Sequence, residues 1–306
     1  MSLTYQQRIE RKKGLGGSDC AAILGLSPWA TPLDIFFDKL NYDEPELEEI
    51  TPNQRWGNLL EPIIISEFER ITGLSCEPNQ KLRVHPDYPF MRANIDAYIP
   101  EINAILECKT ADYFVAQNWK YTSQDDIPHY YLVQCAHYAA VYNVEIVYIA
   151  VLISINDFRI YKYTRTPELE RIIIDRESAF WNGNVLTKYP PQPSDLNDVK
   201  KLWSKSTEGL NKSVDEYIES VFWEMSRIKA QVRDLTKLIE TQQMYITDFM
   251  QDAETLTDAQ GKMLATWKSQ KSNRVDLDKL KKEHPTVYDE CIKETQTRVF
   301  RIKEVL

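Results

Sequence analysis

Residues 211–260 contain neither glycine nor proline, and within them apolar side chains recur in alternating steps of three and four. The series runs Val214, Ile218, Val221, Met225, Ile228, Val232, Leu235, Ile239, Ile246 and Phe249, with Gln242 in one seam position. Such steps give the 3.5-residue repeat of a coiled-coil face, sustained here for about five heptads. The stretch predicts one long amphipathic helix. Its period leaves open whether the apolar face meets another chain or the helix's own domain. Just upstream, the proline cluster YPPQPSD at 189–195 is the candidate boundary, dividing the chain into residues 1–194 and 195–306. Beyond Gly261 the tail reads as strand, short helix, helix and strand, and it is rich in Lys268, Lys271, Arg274, Lys281, Lys282, Arg298, Arg301 and Lys303.

Upstream of the proline cluster the periodicity is mixed. Gly14-Leu15-Gly16-Gly17 makes a turn, and Ser18 and Asp19 start a helix. Thr31-Pro32 opens a second helix through Leu40, and residues 51–72 form a third, closed by Gly73. Short strands are predicted at 81–85, 90–99 and 104–110. A helix from Pro128 through Tyr142, two strands at 145–154 and 158–164, and a helix from Pro167 to Val185 complete the series. The order is that of an α/β (α+β) domain with a hairpin at its centre.

The balance of 43% hydrophobic and 27% charged residues is that of a globular protein. No apolar run approaches the roughly 20 residues a membrane span needs, and the opening MSLTYQQRIERKKG lacks the apolar stretch of a signal peptide. Five scattered cysteines, odd in number and never spaced C-x-x-C, predict reduced thiols in a cytoplasmic compartment without a zinc or iron–sulfur site. Most of the net charge of −9 lies in residues 1–194, which carry 18 Lys+Arg against 26 Asp+Glu. That sign argues against coating of DNA by the whole surface, yet it suits a site that holds cations among carboxylates.

The chemistry is concentrated in the predicted hairpin. Asp96 lies in MRANIDAYI, and Glu107 and Lys109 lie in the following AILECKT. Residues two apart on a strand face the same way, so Glu107 and Lys109 project together while Leu106 and Cys108 face the other layer. Antiparallel pairing brings Asp96 against Glu107, giving two carboxylates that can share a divalent cation beside a lysine able to serve the attacking water. Phosphodiester hydrolysis needs such a set. Oxygen ligands without His or Cys side chains favour Mg²⁺ or Mn²⁺. An acid two residues before a lysine also occurs at Glu10–Lys12 and Asp198–Lys200, but only Glu107–Lys109 lies in an apolar strand. Upstream, Glu61 shares a helical face with Gly57 in GNLLEP and is a further candidate acid. Downstream, Gln134 and Tyr138 share a helical face and are candidates for DNA contact. His137 beside them reads as structural.

In order along the chain, GLGGSDCAAILGLSPWATPLDIF, RWGNLLEP, the Asp96…Glu107-Cys108-Lys109 hairpin and Gln134-x-x-x-Tyr138 resemble the YqaJ-type viral recombinase family. That family is related to phage lambda exonuclease and, more distantly, to RecB-type nuclease domains. The resemblance spans residues from about Arg11 to about Ser194. It implies a restriction-endonuclease-like core and a cytoplasmic, phage- or prophage-encoded enzyme with two Mg²⁺ ions. It further implies 5′-to-3′ digestion of one strand of duplex DNA from an end, a homo-oligomer in the form of a ring-shaped trimer, and a single-strand annealing protein as partner. By motif, Asp96, Glu107, the Cys108 backbone carbonyl and Glu61 would hold metal, and Lys109 would serve the water. Arg11, Ser18 and Gln134 would bind the 5′-phosphate, with Tyr138 beside them. Ile95 departs from the proline common at that place in the wider superfamily. An endonuclease of the same fold and a non-catalytic DNA- or protein-binding module are the alternative readings.

Overall fold

The computed structural model describes residues 5–40, 51–78, 81–114, 119, 126–154 and 156–302. The chain forms two compact units, Met1–Trp203 and Ser204–Leu306. In order, the first unit contains α1 (Tyr5–Lys12), α2 (Gly17–Ile23), α3 (Pro32–Leu40), α4 (Pro52–Thr72), β1 (Glu77–Pro78), β2 (Arg83–Val84), β3 (Arg92–Ala93), β4 (Ala97–Ile99), β5 (Ala104–Ala111), α5 (His129–Tyr142), β6 (Ile146–Ile153), β7 (Asp157–Thr164), α6 (Pro167–Phe180) and α7 (Leu196–Leu202).

The central sheet runs β1-β4-β5-β6-β7, and β5 and β6 pair in parallel between antiparallel neighbours. A parallel pair needs a crossover, and α5 lies within the one that joins β5 to β6. Alternation along β5 divides its side chains between two layers. Ala104 and Leu106 pack with Ile64, Ile65 and Phe68 of α4. Ile105 packs instead with Val133 and Ala136 of α5, Cys20 and Ala21 of α2, and Ile173 of α6. By the same alternation Glu107 and Lys109 belong to the α5 face.

Local chemistry sets the ends of α4. Thr51 Oγ1 accepts from Gln54 N at 3.2 Å and Gln54 Oε1 from Thr51 N at 2.9 Å, a reciprocal N-terminal cap. Gly73, at φ 73°, takes the left-handed position that closes the helix. The strand expected over 90–99 is broken. Met91 makes an isolated bridge to Leu15, β3 covers two residues, and the backbone bends at Asp96 before β4 begins. Met91, Ala93 and Ile95 are buried in the layer with α2 and α5, Ala97 and Ile99 in the layer with α4, so the chain changes faces at the bend. The expected helix over 167–185 is α-helical to Phe180 and finishes in a π-helical turn at Trp181–Val185. α1, α7 and β1 are elements that periodicity did not mark. α7 follows the proline cluster and packs within the first unit, where buried Asp198 accepts from Thr31 Oγ1 at 2.9 Å and from Ser194 N at 2.9 Å.

The second unit comprises α8 (Glu216–Met250), a hairpin of β8 (Thr255–Thr257) and β9 (Met263–Thr266), and helices α9 (Leu277–Glu283) and α10 (Pro285–Cys291). The long helix is shorter than the glycine- and proline-free run. Asp215 caps its start by accepting from Ile218 N at 2.8 Å, and Gln251, at φ 44°, ends it. Thr255–Thr257 is strand, in keeping with its β-branched residues. The strand expected near the end of the tail does not form among the described residues 292–302, where no second edge pairs with it.

Candidate active site

The antiparallel register pairs Ala97 with Leu106, so the next residues outward, Asp96 and Glu107, lie opposite one another. The bend at Asp96 frees its carboxylate from the strand, and Oδ2 accepts from Cys108 N at 2.7 Å. Glu107 is buried. Its Oε1 accepts from Lys109 Nζ at 2.5 Å and from Gln134 Nε2 at 2.8 Å, and Gln134 Nε2 also donates to Tyr138 OH at 2.9 Å. Glu107 Oε2 is buried with no hydrogen-bond partner among the described residues. Burial, reinforced by the Glu107 charge, pushes the Asp96 carboxyl well above the usual carboxylate range. Burial pulls the Lys109 ammonium the other way, but Glu107, Tyr131 and Asp96 outweigh it and its pKa rises. Glu61, half-buried on α4, is raised by burial, with Glu107 adding to the rise and Lys109 opposing it. The cluster is therefore rich in carboxylates and short of positive charge. An unpartnered buried carboxylate oxygen is costly unless something cationic meets it. An all-oxygen pair of this kind fits a hard divalent cation, with Asp96 and Glu107 as the residues that would hold it.

Gln134 and Tyr138 also form one wall of a cleft of about 190 Å³ whose other lining residues include Arg11, Gly17, Ser18 and Arg92. Arg11 Nη2 donates to Ser18 Oγ at 3.4 Å. The helix starts one residue earlier than Ser18, at Gly17, and Asp19 Oδ2 accepts from Gly16 N at 2.9 Å. Asp19 is in turn paired with buried Lys39 at 2.7 Å. At position 17 a Cβ would stand 2.5 Å from the Tyr138 ring, so glycine is what lets α2 approach α5 closely enough to make the cleft. Arg92 Nη1 binds Glu10 Oε2 at 3.0 Å, whereas its Nε is buried without a partner among the described residues.

Behind the cleft, His137 Nδ1 lies 2.8 Å from Glu177 Oε1 and its Nε2 lies 2.9 Å from the Arg92 carbonyl oxygen. Both neighbours are acceptors, so the ring donates from both nitrogens only as an imidazolium. Burial opposes that charge, but Glu177 and the two hydrogen bonds outweigh it, and the pKa is raised. Cys20 completes this fully buried group. The network ties α2, α5 and α6 to the backbone of β3, which positions the cleft.

Of the residues singled out in the sequence, hydrogen bonds join Asp96 to Cys108 and join Glu107, Lys109, Gln134 and Tyr138 to one another. Arg11 and Ser18 join Gln134 and Tyr138 at the cleft, and Glu61 is linked to the carboxylates electrostatically. Sequence reasoning missed Arg92 and Asn94, which also line the cleft. They stand four and two residues before Asp96 in MRANID, as the other polar members of that alternating stretch.

A family model for the YqaJ-like viral recombinase domain matches residues 8–145. The chain is 36% identical over 308 residues to "Uncharacterized protein YqaJ" of Bacillus subtilis (strain 168), covering 97% of this chain and 93% of that one. Among solved structures, LHK-Exo in complex with dAMP superposes with a TM-score of 0.50 at 15% identity, covering 65% of this chain and 97% of that one. A second structure, described as an alkaline exonuclease (LHK-Exo) from Laribacter hongkongensis, gives 0.49 at 16% identity, covering 61% and 94%. The fold is restriction-endonuclease-like, a central mixed sheet flanked by helices. On the extent of its likeness to the Bacillus subtilis protein, the chain belongs to the YqaJ-like viral recombinase family.

Proposed function

We propose that this chain is a divalent-metal-dependent deoxyribonuclease that digests one strand of linear duplex DNA from its 5′ end, in homologous recombination of the phage type. The observation that carries the reading is the buried, unpartnered Oε2 of Glu107, set opposite Asp96 and beside Lys109. The fold shared with LHK-Exo, solved in complex with dAMP, agrees with it.

Asp96, Glu107, the Cys108 carbonyl and Glu61 are the proposed metal ligands, for two Mg²⁺ or Mn²⁺ ions. Bound there, the metal would neutralise charge growing on the phosphoryl oxygens and lower the pKa of the attacking water. Lys109 Nζ, 2.5 Å from Glu107 Oε1, is placed to orient the attacking water or to help deprotonate it. Gln134 couples this cluster to the cleft, because its amide spans Glu107 and Tyr138.

The cleft is the proposed 5′-phosphate site. Arg11 and Ser18 supply donors, and Arg92, which also lines the cleft, adds a guanidinium that the sequence did not mark. Gln134 meets a phosphate by giving up one of its two present bonds. The proposed partners are DNA ends, further copies of the chain in an assembly such as a trimer, and a single-strand annealing protein. Among the described residues no helix is long and apolar enough to cross a membrane.

The test is digestion of linear duplex bearing 5′-phosphate or 5′-hydroxyl ends, beside a covalently closed circle. Phosphorylated ends are expected to be digested faster, the circle to resist, and Arg11→Ala to erase the difference between the two ends. Equal cutting of circle and linear DNA would overturn the end-dependent reading in favour of an endonuclease.

A further inference from the structure

Trp29 is 69% exposed, yet it is held firmly in place. Ser27 Oγ accepts from Trp29 N and from Ala30 N, each at 3.2 Å, which fixes the backbone of the turn. The indole stands edge-on to Tyr130, with ring centroids 4.9 Å apart at 79°, and lies 6.4 Å from the ring of Tyr131. Tyr130 and Tyr131 are themselves in edge contact at 4.5 Å. Lys109 Nζ sits 4.8 Å from the centroid of the Tyr131 ring. A continuous line of aromatic rings therefore runs from solvent at Trp29 to the ammonium that pairs with Glu107.

The T-shaped contact braces the indole, and at 69% exposure most of its surface stays open to water. A large apolar face kept in water and held rigid gains most when another flat π-surface covers it. On a nuclease the available flat surface is a nucleobase, and stacking on aromatic side chains is how proteins hold unpaired bases irrespective of their identity. We propose that Trp29, braced by Tyr130, is a stacking platform for an unpaired nucleobase of the DNA strand whose phosphodiester lies at Lys109. The platform rests on the nuclease reading of that cluster. It gives the site a means of gripping a frayed end without reading its sequence, complementing an anion cleft that sees only phosphate.

The test uses the full-length protein in EDTA, where binding is measured without cleavage. The probe is a duplex with a few unpaired 5′-terminal nucleotides, one of them 2-aminopurine, whose fluorescence is quenched by stacking. A matched duplex carries abasic residues at the unpaired positions. Wild type is expected to quench the probe and Trp29→Ala to fail to do so. Trp29→Ala should also bind the base-bearing probe about tenfold to a hundredfold more weakly, while Trp29→Phe restores most of the affinity. The abasic duplex should bind wild type and Trp29→Ala alike. Equal quenching by wild type and Trp29→Ala, or an equal loss of affinity on abasic DNA, overturns the platform and leaves Trp29 as a backbone or protein contact. Digestion with Mg²⁺ by wild type is scored separately. Quenching without any digestion sinks the nuclease reading alone, and digestion without quenching sinks the platform alone.

Discussion

Phe68 and Phe249 are the same side chain in opposite settings. Phe68, on α4 of the first unit, is fully buried, whereas Phe249, on α8 of the second, is 77% exposed. The contrast extends to whole faces. α4 turns Ile64, Ile65 and Phe68 onto the sheet. Along α8, Ile218, Val221, Ile228, Val232, Leu235, Ile239 and Ile246 are all exposed. Both helices are amphipathic, and the period of each tells which residues share a face. It does not tell what the face meets. In the first unit the answer lies within the unit, because a sheet covers it. For α8, the repeat suits a second helix as well as the helix's own chain, and the period alone does not choose between them. Gln242 within that seam, with an amide that both donates and accepts, suits a role in fixing register or partner number.

Two experiments sharpen or break this contrast. The larger effect belongs to the core. Phe68→Ala is expected to destabilise the first unit by about 3–5 kcal/mol. Phe249→Ala, at a dilution where light scattering gives the monomer mass, should change stability by no more than about 0.5 kcal/mol. Denaturant titration measures both, and equal costs would erase the distinction between the two faces. The smaller effect on stability belongs to the seam. Ile228→Asp combined with Leu235→Asp should lower the mass measured by light scattering or abolish co-purification with a recombination partner. Cleavage per active site on a short duplex should survive. Unchanged mass and partner binding with a drop in thermal stability would show that α8 is covered by its own chain, and the interaction reading would fall.

The two regions also differ in how much of them was legible. The restriction-endonuclease-like class could be inferred from the ordered motifs, α3 begins at the proline that marked it, and α4 closes at Gly73 as expected. The pairing of Glu107 with Lys109 follows from alternation on a strand, which is a local property. Asp96 was legible as an acid near Glu107 but not as a bend. Ile95 and Ala97 alternate in the sequence yet enter opposite layers, and alternation reports burial without saying which layer a residue enters. His137 with Glu177 was illegible as a pair, because forty residues separate them and packing of α5 on α6 alone brings them together. In the second unit, the absence of glycine and proline overstated the length of the helix. Asp215 starts α8 by capping and Gln251 ends it with a positive φ, signals that a search for breakers does not weigh. The tail strand failed for a similar reason, since alternation cannot supply the partner edge.

The central claim is that Asp96, Glu107 and Lys109 form one metal-dependent phosphodiester-cutting site, and it is tested most directly by turnover of end-labelled linear duplex with Mg²⁺ and with EDTA. Purified wild type, Glu107→Gln and Lys109→Ala are to be compared, with folding checked by circular dichroism. The account predicts digestion by wild type only when metal is present, and a loss of about 10²–10³-fold in each variant with the fold retained. Near wild-type turnover in both variants, with contaminating nuclease excluded, would contradict it.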